Sequence, residues 1–264
     1  MTAFSLGTVW EETIAFLRRE GGLLVPVALA LFGPAQLLLR FAMAGAADPA
    51  AMAGKAISAQ IFLAFPAVLL ALYGYLAVSL LVLVPGLSVG EALSRAVRAF
   101  PKALASGAVI MVVWLCIAIT VVTAATLGVV LFRSSPQAPG VANLLSLLLI
   151  IPMLVIVVRM LLFAPVLAAE ESGPIDALRR IWALSRNNIV RFVGVWLVFL
   201  LLGLLVTMVD MLVFGSIFRL LALGVGDPEL LAIGQALMSA ALQAMLSLGM
   251  TVYIALVYRK VAGA

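Results

Sequence analysis

The sequence predicts an all-α, polytopic integral membrane protein with six transmembrane helices and three amphipathic helices in the membrane interface. Three observations support this fold class. Of the 264 residues, 66% are hydrophobic and only 10% are charged, whereas a soluble domain of this size carries about 25% charged residues. Six apolar runs are long enough to span a bilayer, and three charged segments stand directly before alternate runs. We therefore treat residues 1–264 as a single membrane domain.

The six apolar runs are the predicted transmembrane helices, because a bilayer span requires about 20 predominantly apolar residues. They lie at residues 23–43, 57–84, 104–132, 142–168, 189–212 and 230–257. The chain opens with an acidic and then basic amphipathic segment, unlike the basic and then apolar regions of a secretory signal. We therefore expect the first span to stay in the mature protein, and we expect no separate soluble domain.

The basic residues are more frequent on one side of the predicted membrane. The net charge is +5. Eleven Lys and Arg residues fall in the segments before spans 1, 3 and 5 and after span 6, and four fall on the other side. Because cytoplasmic segments are enriched in Lys and Arg, we expect cytoplasmic termini and a bacterial cytoplasmic membrane. A basic chain without a soluble surface gives no reason to expect nucleic-acid binding.

Three charged segments share one pattern: an acidic residue in the first turn, an apolar stripe and later basic residues. They are TVWEETIAFLRREGG, LSVGEALSRAVRAFPKAL and EESGPIDALRRIWALSRNN, each followed by a span. Their acidic residues, Glu11, Glu91 and Asp176, are offset by 80 and 85 residues. This spacing predicts a triplicated unit, with repeats at about 5–84, 87–168 and 172–257.

Local start signals support a helix in each segment. Thr8 with Glu11 and Ser88 with Glu91 fit the capping box, and Pro174 fits the first helical position. In the second segment one apolar face is predicted to contain Val89, Ala92, Leu93, Ala96, Val97 and Phe100. Helices of this kind lie in the membrane interface with basic residues toward lipid headgroups. The alternative is an ordinary loop that is basic because it is cytoplasmic.

Residues 164–198, APVLAAEESGPIDALRRIWALSRNNIVRFVGVWLV, resemble the membrane domain of some bacterial glycerophosphoryl diester phosphodiesterases and related six-span proteins. The matching features are an apolar run that ends in Glu170 or Glu171, the turn Gly173-Pro174, and a helix with Ala177, Leu178, Arg179, Arg180 and Trp182. Ile181 and Asn187-Asn188 depart from the Ser and Gly of that family. The resemblance implies a membrane module and not phosphodiesterase activity, because the family's catalytic unit is a separate soluble domain with histidines.

The side chains offer little for catalysis. The chain has no His, which removes imidazole as a general base or metal ligand. No phosphate-binding glycine loop or nucleophile motif occurs, and adjacent Glu170 and Glu171 would point about 100° apart on a helix. The one cysteine, Cys116, is expected to be a buried structural residue within span 3. We expect no enzymatic activity, no metal and no cofactor, and a lipid-modifying enzyme is the least favoured hypothesis.

Three charged residues lie within the spans or near their ends: Arg40, Arg159 and Asp210. Each is costly in lipid and therefore needs a partner. In one interpretation Arg40 pairs with Asp210 to fix helix packing, and Arg159 bonds backbone carbonyls near Pro152. In the other, the three residues belong to a polar pathway for a substrate.

Two functional hypotheses follow. In the first, a non-enzymatic scaffold or lipid-interacting module binds anionic membrane lipid, or a protein partner, through Arg95, Arg98, Lys102, Arg179 and Arg180. In the second, a transporter or export accessory protein uses a polar interior around Arg159. In both cases we expect a structural clasp where span 4 ends, formed by Glu170, Glu171, Pro174 and Trp182. Its carboxylate should pair with Arg179, Arg180 or Arg95.

Overall fold

The structure is a computed structural model, and it describes residues 6–44, 62–131, 152–170, 173–186, 188–225 and 228–263. Within these ranges the chain is helical and contains no strand. Six helical segments are long and apolar enough to cross a membrane. The predicted all-α, six-span fold class is confirmed.

The described part of the chain is a succession of α-helices. In chain order the described α-helices are α1 (Leu6–Ala44), α2 (Ala64–Leu83), α3 (Val89–Leu131), α4 (Phe163–Ala169), α5 (Pro174–Arg186), α6 (Ile189–Val209), α7 (Gly215–Val225) and α8 (Pro228–Ala262). A helical segment at 152–160 precedes α4, and the two together form the fourth span, Pro152–Ala169. A π-helical turn, Asp210–Phe214, joins α6 to α7 within the fifth span. Parts of the predicted second, third and fourth spans lie outside the described residues.

The core of the bundle is formed by α1, α2 and α8. Helix α1 packs along both of the others, and the buried side chains of this core include Phe32, Leu76 and Val252. The Phe32 ring contacts Tyr75, with 4.9 Å between ring centroids. It also lies so close to Gly74 that a Cβ there would stand 2.7 Å from Phe32 Cε1. The close approach of α1 and α2 therefore depends on the absence of a side chain at Gly74.

The outer surfaces of α3 and α6 are apolar. Their exposed large side chains include Met111, Leu115, Ile119, Val122, Leu201, Leu204 and Leu205. A water-soluble monomer rarely exposes so many neighbouring apolar side chains. This surface fits a protein that is surrounded by lipid.

The three charged segments do not all form separate helices. The third is a helix of its own, α5, which begins at Pro174 as predicted. The first two are instead the N-terminal parts of α1 and α3, which continue into their spans with Pro26 and Pro101 inside the helix. A continuous helix satisfies nearly all of its backbone hydrogen bonds as it enters the membrane. The predicted repeat of three equivalent units is not confirmed.

The two predicted capping boxes have different outcomes. The box at Ser88 and Glu91 is confirmed: Ser88 N donates to Glu91 Oε2 at 3.1 Å, and Glu91 N donates to Ser88 Oγ at 3.3 Å. The box at Thr8 and Glu11 is wrong, because α1 begins at Leu6 and Thr8 already lies within the helix. An N-cap residue must have non-helical backbone angles, and Thr8 does not meet this condition.

Candidate functional site

One end of the bundle brings together the starts of α1, α3 and α6, the ends of α2, α4 and α8, and the short helix α5. We call it the basic end, because it contains Arg18, Arg19, Arg95, Arg98, Lys102, Arg179, Arg180, Arg186, Arg191, Arg259 and Lys260. Two polar contacts join the first helix to the last there. Lys260 Nζ lies 2.6 Å from Glu12 Oε1, and Tyr253 Oη donates to the Leu6 carbonyl at 3.4 Å.

Glu170, the residue after α4, is the centre of a cluster that joins four helices. Arg180 Nε on α5 donates to Glu170 Oε1 at 3.2 Å, and Tyr258 Oη on α8 donates to the same oxygen at 3.1 Å. Lys102 Nζ on α3 donates to the backbone carbonyl of Glu170. We call these four residues the Glu170 cluster. Hydrogen bonds in which the donor or the acceptor is charged are among the stronger ones in proteins, so the cluster fixes α3, α5 and α8 around the end of α4.

The start of α5 is held against α3 by a second contact. Ser106 Oγ lies 3.0 Å from the carbonyl oxygen of Lys102 and 3.3 Å from that of Pro174. The buried face of α5 consists of Ala177, Ile181, Leu184 and Ser185. This spacing is that of one helical face, so α5 is docked on the bundle along its whole length.

The Glu170 cluster contains part of the predicted clasp. Glu170 pairs with Arg180, which is one of the partners that the sequence predicts. Arg179 instead lies 4.0 Å from Asp176, and both side chains are exposed. Trp182 is not in the cluster, and Glu171 lies outside the described residues.

Sequence reasoning missed Tyr258, which is 4% exposed and separated from Glu170 by 88 residues. No local pattern connects two residues so far apart. The available signal was a tyrosine near the end of an otherwise apolar span, because a buried tyrosine hydroxyl usually has a hydrogen-bond partner.

Arg159 docks onto α5. Its guanidinium carbon lies 3.7 Å from the centroid of the Trp182 ring, and its Nη1 donates to the Trp182 carbonyl at 3.3 Å and to Ser185 Oγ at 3.4 Å. The predicted bonds to carbonyls near Pro152 do not occur among the described residues. The long side chain instead extends to a helix at the basic end, as Arg side chains in membrane helices commonly do.

Arg40 and Asp210 meet away from the basic end. Arg40 Nη1 lies 3.7 Å from Asp210 Oδ2, and Ser239 Oγ lies 2.6 Å and 2.7 Å from the two carboxylate oxygens. Asp210 is the first residue of the π-helical turn. The three side chains join α1, the fifth span and α8, which is the arrangement that the packing interpretation requires.

The five predicted lipid-binding residues fall into two groups. Lys102 and Arg180 belong to the Glu170 cluster. The other three are exposed and stand beside exposed apolar side chains. We call the exposed set the outer face: Arg95, Val97 and Arg98 of α3 with Ile175, Arg179 and Trp182 of α5.

Val97 departs from the predicted apolar stripe. It is 58% exposed, whereas Ala92, Ala96 and Ala103 are fully buried. The buried face of α3 at the basic end therefore consists of small residues, which let α3 lie close to its neighbours. Val97 is left exposed next to Arg98 in the sequence.

Two cavities formed by described residues have volumes in the range that ligands occupy, about 300–1,000 Å³. The first, of about 550 Å³, opens at the basic end and is lined in part by charged side chains, Glu12, Arg19, Glu20 and Arg259. The second, of about 610 Å³, lies among α2, α3, the fourth span and α8 and is mainly apolar. Arg159 does not line either cavity.

Two further predictions concern reactive side chains. Within the described ranges, no group of three or more His, Cys, Asp or Glu side chains could hold a metal ion. Cys116 is exposed, so the expectation that it is buried is wrong. It lies on the apolar outer surface of α3, where a small apolar side chain would face lipid.

Comparison with known families gives one result. The family model described as Domain of unknown function (DUF7847) matches residues 5–261. The match covers almost the whole chain, and the chain belongs to this family. No curated protein and no solved structure matches it. The family match gives no specific support to the predicted resemblance to the membrane domain of glycerophosphoryl diester phosphodiesterases.

Proposed function

We propose that this member of the DUF7847 family is a non-enzymatic membrane protein that binds anionic phospholipid headgroups at its basic end. The observation that supports this function is the outer face, where Arg95, Arg98 and Arg179 are exposed beside Val97 and Trp182. Basic side chains beside apolar ones suit the boundary between headgroups and acyl chains. The basic end then faces the cytoplasm of a bacterial cell, with both termini on that side.

The charges of the outer face give the expected strength of binding. Each Lys or Arg near an anionic leaflet contributes about 1 kcal/mol, or about a fivefold change in affinity. Lys102 and Arg180 already bind Glu170, so we assign the attraction mainly to Arg95, Arg98 and Arg179. Arg179 contributes least, because Asp176 lies 4.0 Å away.

The Glu170 cluster supports this function by holding α5 in place. A headgroup site needs side chains on a rigid element, and α5 is short, with 13 residues. A helix of this length is marginal on its own in water. Its orientation therefore depends on Glu170, on Ser106 and on the Arg159–Trp182 contact.

Substitution of the outer face tests the proposal. The full chain, purified in detergent, is mixed with phosphatidylglycerol and phosphatidylcholine, and native mass spectrometry measures the lipid retained. Combined Arg95→Gln, Arg98→Gln and Arg179→Gln substitutions should lower phosphatidylglycerol retention by at least about tenfold. Arg219→Gln is the control, because Arg219 is an exposed arginine of α7 that lies outside the basic end. An equal effect of the control per charge removed would mean that net charge alone governs retention.

Transport or export assistance is the second candidate function. The apolar cavity of about 610 Å³ favours it, since this cavity lies between spans and has room for a substrate. Arg159 contacts α5 instead of this cavity, which argues against a pathway built around that residue. Retention of a distinct small molecule in place of lipid would favour transport.

The resemblance to the membrane domain of glycerophosphoryl diester phosphodiesterases adds a partner to the proposal. In such proteins the membrane domain accompanies a soluble catalytic unit, so a soluble protein that docks at the basic end is the expected second ligand. Photo-crosslinking from position 175 or 179 of α5 in intact membranes tests this expectation. Crosslinks to lipid alone would remove the protein partner from the proposal.

A further inference from the structure

The charged cavity at the basic end lies apart from the Glu170 cluster and the outer face. It is bounded by α1, by α8 and by the turn between α2 and α3, which contributes Pro85, Gly86 and Leu87. Its volume of about 550 Å³ is large enough for a lipid headgroup. None of its lining residues belongs to the surfaces to which we assign anionic-lipid binding.

Glu12 lines this cavity, and one oxygen of its carboxylate is unsatisfied. Its Oε1 accepts a hydrogen bond from Lys260 Nζ at 2.6 Å. Its Oε2 is shielded from solvent and has no hydrogen-bond partner within the described part of the chain. A shielded polar atom without a partner is unfavourable and needs an explanation. The side chain as a whole is 43% exposed, so a rotation of the carboxylate would turn this oxygen toward an N–H donor of a ligand in the cavity.

Arg259 provides a positive charge in the same cavity. It forms no ion pair with the residues that the structure describes, whereas its neighbour Lys260 pairs with Glu12. The other arginine of the cavity, Arg19, is paired with Glu20 at 2.9 Å. A guanidinium group binds phosphate oxygens through parallel hydrogen bonds, so Arg259 is suited to an anionic group of a ligand.

The rest of the cavity wall is apolar. Leu23, Leu24, Leu81, Val82 and Leu256 line it, and Leu23 is 43% exposed. The apolar wall therefore continues onto the outer surface of α1. A ligand that matches this wall has an apolar part beside its charged groups, as a membrane lipid does.

We propose that this cavity binds the headgroup of a phospholipid that carries a primary amine. Arg259 binds the phosphate, and the ammonium group donates to Glu12 Oε2. The glycerol end of the lipid lies along the apolar wall of the cavity. A primary ammonium group has three N–H donors. The trimethylammonium group of a choline lipid has none, so the site distinguishes the two headgroups.

The test compares three lipids on the full chain. Purified protein in detergent is equilibrated with phosphatidylethanolamine, phosphatidylcholine or phosphatidylglycerol, and bound lipid is measured by native mass spectrometry. Phosphatidylethanolamine should be retained about tenfold better than phosphatidylcholine, which is the effect of one charge-assisted hydrogen bond. Glu12→Gln should remove this preference, whereas Arg259→Gln should lower the retention of both lipids, because both carry the phosphate.

Lys260→Met is the matched control. It breaks the same ion pair as Glu12→Gln but leaves the carboxylate in the cavity, so the preference should persist. Arg259→Gln breaks no ion pair between described residues and should fold normally, which the melting temperature in the same detergent checks. The proposal is overturned if the unmutated chain retains both zwitterionic lipids equally, if the preference survives Glu12→Gln, or if Arg259→Gln leaves the retention of both lipids unchanged.

Soluble phosphoethanolamine forms the second arm of the test. If it displaces phosphatidylethanolamine at equal concentration, the ligand is a free zwitterion and the assignment to a membrane lipid is wrong. If the proposed function of anionic-lipid binding is wrong, the experiment gives a different result. In that case phosphatidylglycerol retention does not respond to substitution of Arg95, Arg98 and Arg179, while the preference for the amine lipid is unchanged.

Discussion

At the scale of single residues, one carboxylate determines how four helices meet. The Glu170 side chain is 25% exposed and that of Arg180 is 48% exposed, so water screens their attraction in part. Tyr258 is buried, and its hydroxyl would lose its partner without Glu170. The contribution of the cluster to the free energy of unfolding is therefore expected to lie between that of a surface ion pair and that of a fully buried ion pair.

We expect Glu170→Gln to lower the free energy of unfolding by about 1–2 kcal/mol, because a neutral amide accepts more weakly from Arg180 and Tyr258. Chemical or thermal unfolding in detergent measures the change. Asp176→Asn is the control, because it removes an exposed ion pair that contributes about 0–0.5 kcal/mol. Equal effects of the two substitutions would mean that the Glu170 cluster has no special role.

Arg159 and Trp182 should behave as an energetic pair. The guanidinium group lies over the indole ring, and because Trp182 is 49% exposed, the contact is expected to contribute about 0.5–1 kcal/mol. A double-mutant cycle with Arg159→Lys and Trp182→Leu measures the coupling, since a lysine ammonium does not stack as a guanidinium group does. If the two effects simply add, Arg159 is not held by Trp182, and the transport hypothesis gains support.

The residue contacts differ in how far the sequence predicts them. The Glu170–Arg180 pair could be predicted because the two residues are ten positions apart, across one short turn. The positions of Arg40 and Asp210 at similar depths in their spans suggested their contact. Tyr258 and the unsatisfied oxygen of Glu12 could not be predicted, because each depends on how α8 packs against distant helices.

At the scale of helices, the residue at which a helix begins was easier to predict than whether an amphipathic helix continues into the next span. Ser88 and Pro174 mark helix starts through local hydrogen bonds and a restricted φ angle. Whether an amphipathic helix continues into the next span depends on the residues that follow it. Pro26 and Pro101 are tolerated within α1 and α3, whereas α5 ends at Arg186 and α6 begins at Ile189. The sequence pattern does not distinguish these cases, because proline within a helix can either end or kink it.

Helix packing gives a direct prediction at Gly74. A Cβ there would stand 2.7 Å from the buried ring of Phe32, so Gly74→Ala should destabilise the fold by about 1–3 kcal/mol through overpacking. Gly33→Ala is the control, because Gly33 is also helical and has no neighbouring atom within 4 Å of an added Cβ. The control should be neutral or should stabilise by up to about 1 kcal/mol. Unfolding in detergent measures both, and equal stabilities would contradict the close packing of α1 and α2.

At the scale of the whole molecule, composition predicts the number of spans but not their arrangement. A helix that is apolar on all sides gives no periodic signal for its buried face. In the most apolar window of α2, 44% of residues are buried, compared with 17% in the fifth span. The two sequences are similarly apolar, so the central position of α1, α2 and α8 follows from tertiary packing alone.

Membrane orientation can be tested over the whole chain. Reporter fusions at the termini and near residues 95 and 180 should give cytoplasmic signals, and fusions near residues 50, 136 and 226 should give external ones. The reason is the excess of Lys and Arg at the basic end. An external C-terminus would contradict both the orientation and the lipid-binding proposal.

The central claim is that the basic end binds anionic lipid, and the lipid that co-purifies with the unmutated chain tests it most directly. The protein is extracted from a membrane that contains phosphatidylglycerol and phosphatidylcholine in equal amounts, and the retained lipid is measured by mass spectrometry. Choline lipid is the comparator because it lacks the N–H donors that the Glu12 cavity requires. We expect phosphatidylglycerol to be enriched at least about tenfold at low salt, and the enrichment to fall as ionic strength rises. Equal retention of the two lipids would contradict the claim.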